Sequence, residues 1–442
     1  LDPLRGRQIV TEQEDAIAGL KPRIADEVSY IIRAFREKNI RIGLAGEGAG
    51  VGYLYAEGQL LVRERDLERV SAVLRDMAGV QLSADPQYVL AGVAVLRFTG
   101  DRSVPEVLDE IDSLLGEGRA TPNHLLTVAR KSPFKAIGEV SPCSATEARE
   151  VYEESEPYPS VCESNSGARV RIYISDTGLL PGADEHWWLA GVDGEPDPLS
   201  PDQTGGDLVP YAGHGTFVAG ITRCMAPAAD VFVGNVFAIA GSALETDFIA
   251  ELQQALRRGA DILHLSGTAP TRKNLPLLTF SEFLPQLREC KGVLCVTAAG
   301  NSGSSRVSWP AASPEVVSVG ALAADWRSRA GFTNYGGWVD VYAPGRDIIN
   351  AYATGRYVSR MTPYTGQTRD FNGMAQWSGT SFSSPIVTGL IAARMWRTGE
   401  NSTEAAAALL EEARSRAIPG VGAIILPTCD DRAPHGVSGG PL

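Results

Sequence analysis

Four residues in this 442-residue chain have the types that nucleophilic hydrolysis requires: Asp176, His214, Asn301 and Ser381. A serine hydroxyl must lose its proton, a base must take it, a third group must hold that base in one tautomer, and donors must meet the oxyanion. Asp176 lies in YISDTG, at the end of an apolar run. His214 lies in YAGHGTFVAGI, between Gly213 and Gly215, which let the backbone pass close to a neighbour. Ser381 lies in WSGTSFSSPIVTGLIAARM and opens a long apolar segment. If that segment is a helix, the Ser381 N–H belongs to its unpaired first-turn donors, where the dipole favours negative charge. Pro385 sits near this helix start, where a missing N–H costs least. Asn301 follows Leu294-Cys-Val-Thr-Ala-Ala-Gly, a strand-like run ending in a small-residue turn. Its amide donates without titrating. Taken singly, each residue also has a plain structural use: a turn aspartate, a buried or capping histidine, an N-cap serine, a turn asparagine in left-handed backbone.

The elements that must position these residues are legible from residue 168 onward. Apolar strands are expected at 170–174, 229–236, 261–266, 293–298 and 316–321. Helices are expected from His214, over 248–256, near 280–290, over 381–396 and at about 403–415. Alternating apolar strands and helices imply an α/β fold, with a mostly parallel sheet covered on both faces. In such sheets, sites gather at the C-terminal strand ends, which is where Asp176 stands.

The first 130 residues read differently. Ile24, Val28, Ile31, Ile32 and Phe35 fall on one helical face. The Glu47-Gly-Ala-Gly-Val-Gly stretch reads as a loop or tight turn, and lacks the Lys-Ser/Thr of a phosphate loop. Between 53 and 130, strands at 60–62, 93–98 and 123–128 alternate with two amphipathic helices, the second opened by the capping box Ser103-Val-Pro-Glu106. Two helices on one face of a small antiparallel sheet is the simplest architecture, an α+β ferredoxin-like unit. Residues 131–167 are rich in Pro and Glu and read as an exposed linker with a possible processing site. The expected division is a helical extension at 1–52, the α+β unit at 53–130, the linker, the α/β domain at 168–428 and a loose tail at 429–442.

Bulk properties narrow the classes. Hydrophobic content of 44% and charged content of 21% fit a globular protein. A net charge of −13 leaves no electrostatic footprint for nucleic acid. No apolar run is long enough for a membrane helix, and the opening residues carry no apolar leader core. The six cysteines, at 143, 162, 224, 290, 295 and 429, permit disulfides, but most read as small buried apolar residues. Cys290 and Cys295 are close enough in sequence to meet. The five histidines form no zinc-like cluster with them.

Together the segments around Asp176, His214, Asn301 and Ser381 resemble the subtilisin-like serine proteases. The likeness runs from about 168 to 397 and includes HGTFVAGITRCMAPAADVFVGNV and VVSVGALAADWRSRAGFTNYGGWVDVYAPG. It implies that Ser381 is the nucleophile, His214 the base and then the acid, and Asp176 the group that orients it. Asn301 and the Ser381 N–H would bind the oxyanion. It also implies that Ser266, Gly267, Ala298, Ala299 and Gly300 line a cleft that takes a polypeptide substrate as an added strand. Residues 53–130 resemble the family's inhibitory propeptide, so the chain's own N-terminal domain is an expected intramolecular inhibitor.

Three departures from the family pattern stand out. Phe217 replaces a frequent second histidine, and no acidic insertion follows His214, so no cofactor and no strong calcium site is expected. His264-Leu-Ser-Gly-Thr268 differs from the family's Asn-x-Ser-x-Gly, either by a missing residue or by Gly267 in place of a side chain. An extra stretch at about 356–374 reads as a hairpin beside the cleft, touching substrate or the N-terminal module, or as a decorated surface loop. The favoured reading is an endopeptidase held inactive by its N-terminal module until cleavage within 131–167. A peptide-holding protein without activity is disfavoured by the complete residue set. A third reading is a dedicated cytoplasmic processing enzyme switched on without loss of the module. The missing leader favours the cytoplasm slightly; secretion after leader removal is the alternative.

Overall fold

The computed structural model describes residues 17–47, 50–83, 85–128, 148–151, 155–162, 166–199, 206–290 and 292–427. Helix α1 (Pro22–Glu37) buries Val28, Ile31, Ile32 and Phe35, the stripe its spacing predicts. Strand β1 (Ile42–Glu47) follows and pairs antiparallel with β2 (Gly50–Arg63), so the expected helical extension is in part sheet. Of the glycines expected to form a loop, Gly50 pairs with Glu47 and Gly52 falls where the register shifts between Ala45 and Gly46. Helix α2 (Glu64–Asp76), strands β3 (Val80–Leu82), β4 (Gln87–Leu90) and β5 (Val93–Gly100), helix α3 (Val104–Leu115) and strand β6 (Ala120–Val128) complete the module. The Ser103–Glu106 capping box is formed.

Alternation along β2 explains why Leu60, Leu61 and Val62 are apolar without a break. Leu60 and Val62 meet α2 and α3 through Val70, Leu74, Val107 and Ile111. Leu61, one residue out of phase, joins the core of the C-terminal domain. Both faces of this sheet are therefore covered, and every residue of β6 is buried.

The C-terminal domain begins with β7 (Arg171–Ser175) and β8 (Asp193–Gly194), then α4 (His214–Met225), β9 (Asp230–Gly234), β10 (Ser242–Leu244) and α5 (Glu245–Arg257). It continues with β11 (Ile262–Leu265), β12 (Gly267–Thr268), α6 (Leu278–Glu289), β13 (Leu294–Ala298), β14 (Val316–Leu322) and β15 (Val341–Pro344). Strands β16 (Ile348–Val358) and β17 (Thr368–Trp377) form an antiparallel hairpin, and α7 (Thr380–Thr398) and α8 (Ser402–Ser415) follow. The central sheet is wholly parallel in the order β15-β14-β13-β11-β7-β9-β8. Helices α4 and α7 pack on each other and on this sheet. Helices α5 and α6 pack together and reach the module's β4.

The module and the C-terminal domain share a sheet. Strand β6 lies beside β2 on the module side, and pairs antiparallel with both β10 and β12. The described part of the 131–167 connection is not a free linker. Arg149 exchanges backbone hydrogen bonds with Gln376, Tyr158 does so with Ile349, and the Cys162 N–H donates to the Cys224 carbonyl, so this stretch is strapped to the hairpin and α4. Cys162 is disulfide-bonded, with its partner outside the described residues. Cys290 and Cys295 do not pair; with Cys224 they are free thiols. The tail expected from 429 lies outside the described residues.

Candidate active site

Asp176 follows the last residue of β7, and His214 is the first residue of α4. Two glycines make that entry possible. Gly213 has a φ of 73°, and a side chain on Gly215 would meet the Gly178 carbonyl at 2.4 Å. His214 Nδ1 lies 2.7 Å from Asp176 Oδ1, and both side chains are fully buried. The Thr177 N–H also donates to Asp176 Oδ1, at 2.7 Å. Burial works to raise the Asp176 carboxyl, yet the adjacent His214 and the Thr177 N–H hold it below its ordinary value. An ionised Asp176 fixes the His214 proton on Nδ1 and leaves the Nε2 lone pair free.

The His214 ring sits in an aromatic cage. Trp377 meets it edge-on at 5.4 Å and Phe382 lies at the same distance, with Phe217 behind at 4.7 Å from Phe382. This is the physical use of Phe217: it backs the ring that backs the imidazole. Because Phe382 follows Ser381, the same packing brings the start of α7 to His214.

Helix α7 begins at Thr380, with Ser381 in its first turn; Pro385 stands inside the helix rather than at its edge. The Thr380 N–H and hydroxyl both donate to Asn301 Oδ1, at 2.8 and 3.0 Å, and Thr380 Oγ1 accepts from the Gly300 N–H at 3.0 Å. This clamp fixes the amide so that Nδ2 is left over. Among the described residues, His214 Nε2, Ser381 Oγ and Asn301 Nδ2 are buried here without a hydrogen-bond partner. Unspent buried donors and acceptors are uncommon and call for an explanation. A base, a hydroxyl and a donor left unspent on neighbouring elements are the groups that attack on a carbonyl would use, the hydroxyl donating to the base and the amide to the carbonyl oxygen.

The residues expected to line the cleft fall into two groups. Gly267 pairs with Val128 and Thr268 with Thr127, so the Ser266-Gly267 segment does flank an extended strand. A side chain on Gly267 would collide with the Phe237 ring at 2.0 Å, which explains the glycine where a side chain was expected. Gly300 stands next to Thr268; a Cβ there would reach the Thr268 hydroxyl at 3.3 Å. Ala298 and Ala299 are buried, and Ala299 is tied to Val319 and to the Asn334 amide.

Several residues that hold the site together leave no mark in the sequence. Asp197 is fully buried and its carboxylate accepts from the Gly213 N–H (2.7 Å), the Leu199 N–H (2.8 Å) and the Thr177 hydroxyl (3.3 Å). It thus bolts the residue after Asp176 to the residue before His214. Burial pushes its pKa up to about 7, against the pull of the Gly213 and Leu199 N–H groups. Glu251, under β7, accepts from Ser175 Oγ and the Val236 N–H, and burial pushes it up to about 8. Nothing in the Pro- and Gly-rich stretch around Asp197 distinguishes it from a loop aspartate. The hairpin is also more than decoration: its Thr362 N–H donates to Asp26 of α1 at 2.8 Å, and Arg360 lies over Tyr30.

Comparison with known proteins gives a consistent picture. The family model described as "Subtilase family" matches residues 168–437. M-protease of Shouchella clausii is 28% identical over 238 residues, covering 51% of this chain and 54% of that protein. The thermophilic serine proteinase of a Bacillus species is 34% identical over 202 residues, covering 43% of this chain and 44% of that protein. The match thus spans about half the length of these curated relatives. Among solved structures, fervidolysin from Fervidobacterium pennivorans, a keratinolytic enzyme related to subtilisin, aligns with a TM-score of 0.53 at 17% identity, over 88% of this chain and 62% of its own. That likeness speaks to the fold.

Proposed function

Because the chain belongs to the subtilase family, whose model spans residues 168–437, we propose that it is a serine endopeptidase working through an acyl-enzyme. Ser381 Oγ attacks the peptide carbonyl while His214 Nε2 takes its proton and later passes it to the leaving amine. Asp176 holds the imidazole in the required tautomer and stabilises the imidazolium. Asn301 Nδ2 and the Ser381 N–H meet the oxyanion. No cofactor or calcium ion enters this reading. The observation that carries it is the buried Asp176–His214 pair at 2.7 Å, with Nε2, Ser381 Oγ and Asn301 Nδ2 all left without partners.

The same reading makes the N-terminal module the enzyme's own inhibitor. Its support is β6, which lies between β10 and β12 as a peptide substrate would lie, with the Val128 N–H donating to the Gly241 carbonyl at 2.9 Å. Ionic contacts hold the module down. Arg272 binds Asp109 and Asp112, and Lys273 binds Asp112 and Glu117. Cleavage C-terminal to Val128, in the 131–167 connection, frees the catalytic cleft. Mass spectrometry of the full chain beside Ser381→Ala tests both points. The wild type should show a cut after the module that is absent from the variant; the same cut in both would reject self-processing by Ser381.

A further inference from the structure

The upstream end of the cleft holds a buried polar pocket that the catalytic residues do not touch. Its occupants are Asn123 and His124 of β6, which are 0% and 1% exposed. His124 Nδ1 lies 3.1 Å from Glu245 Oε2, and His124 Nε2 accepts from the Arg272 N–H at 3.2 Å. A backbone N–H can only donate, so Nε2 carries a lone pair and the proton sits on Nδ1, which donates to Glu245. Glu245 is itself fully buried, and its other oxygen accepts from the Thr279 N–H (2.8 Å) and hydroxyl (3.0 Å). One residue upstream of His124, Asn123 Oδ1 accepts from the Thr246 N–H at 3.3 Å, and Asn123 Nδ2 donates to the Thr246 hydroxyl at 3.2 Å. Glu245, Thr246, Arg272 and Thr279 all belong to the C-terminal domain. The edge-on contact of Tyr53 with His124 and the Gln59 contact with Asn123 belong to the module and leave with it.

We propose that Glu245, Thr246 and the Arg272 N–H form a specificity pocket for the peptide substrate, selecting a carboxamide side chain followed by a neutral imidazole at the positions that Asn123 and His124 occupy. This rests on the peptidase reading above and names the chemistry that its cleft prefers. The pocket demands one side chain that donates on one edge and accepts on the other. Lysine and arginine offer donors only, and leave the Arg272 N–H facing another donor. Leucine offers neither, and leaves the Glu245 oxygen and the Arg272 N–H unsatisfied. A glutamine carries both functions and is the natural partial substitute.

Two measurements test the pocket, one independent of turnover. In the full-length Ser381→Ala chain, amide hydrogen exchange across residues 123–128 should quicken by about tenfold or more with His124→Leu, less with His124→Gln, while β11 and β13 amides stay unchanged. In the wild-type chain, a fluorogenic peptide carrying Asn-His-Leu-Leu-Thr-Val should be turned over about 10- to 100-fold more efficiently than its Asn-Leu and Asn-Lys counterparts, and Glu245→Gln should collapse that ratio towards unity. Equal turnover of the three peptides overturns the proposal, even if exchange quickens, because the pocket then serves the module alone. Exchange unaltered by His124→Leu also overturns it. Quickened exchange with no peptide cleaved by the wild-type chain even after its module has been cut away counts against the peptidase reading and leaves the pocket's recognition of the Asn-His pair standing.

Discussion

The Asn123–His124 pocket and the site at His214 and Ser381 treat their polar groups in opposite ways. Around β6, each hydrogen-bonding atom of the Asn123–Thr246 and His124–Glu245 pairs that faces the other domain is satisfied. At the other site, His214 Nε2, Ser381 Oγ and Asn301 Nδ2 are buried with nothing to bond among the described residues. Both are equally dry, so the contrast is not one of solvent access. A satisfied site binds a chain and holds it in register. An unsatisfied site stores interactions that only a species formed later can make, which is the arrangement that lowers a barrier rather than deepening a ground state.

That contrast can be broken in order of expected effect. Ser381→Ala should remove peptide hydrolysis by about 10⁶-fold in kcat, with binding at the pocket intact; turnover surviving in a burst assay would mean that the hydroxyl is not the nucleophile. Asn301→Leu should raise the barrier by about 2.7–4 kcal/mol, seen in kcat with KM little changed. A rise in KM instead would put Asn301 with the binding pocket. Arg272→Ala removes a nearly buried partner of Asp112, which keeps Lys273, so the loss should be about 1–2 kcal/mol of module docking, read as faster exchange in β6. Unchanged exchange would remove the ionic latch.

The smallest effect is a slope. Asp197 has its carboxyl raised from 3.8 to about 7 by burial, so the folded chain binds that proton more tightly than the unfolded chain. Between about pH 7 and 4, folding takes up a proton, and the wild type gains stability as the solution is acidified. Asp197→Asn cannot, so urea titrations should show the variant falling further behind the wild type as pH drops through that window. Parallel curves would place the ionised form in the fold at all pH values.

Much of the C-terminal domain is legible in its amino-acid sequence. The period of the apolar residues locates the parallel strands and the helices carrying His214 and Ser381, because both faces of that sheet are covered and its strands must be apolar throughout. The four candidate residues are ambiguous one by one and become a set only through their order and flanking motifs, which resemble those of the subtilisin-like proteases. What stays hidden is long-range. Strands β10 and β12 are two or three residues long and acquire their identity only from β6, in another domain. Asp197 reads as a loop residue because its partners, Thr177 and Gly213, come from elsewhere in the chain. Glycines at 50 and 52 read as a turn because glycine is a poor strand former, yet Gly50 pairs with Glu47 of β1 and Gly52 is the extra residue where the register shifts, a place that suits glycine.

The sheet shared by β6, β10 and β12 has a consequence for how such a chain comes off a ribosome. Residues 120–128 emerge before residues 242–244 and 267–268, so the first strand is in place when its two neighbours are made. Bare strand edges recruit other chains, and nascent polypeptide in a crowded cell is the nearest supply. A protease that built its cleft first would be surrounded by extended segments able to enter it. Here the gap between the two edges is filled by a strand made before either of them.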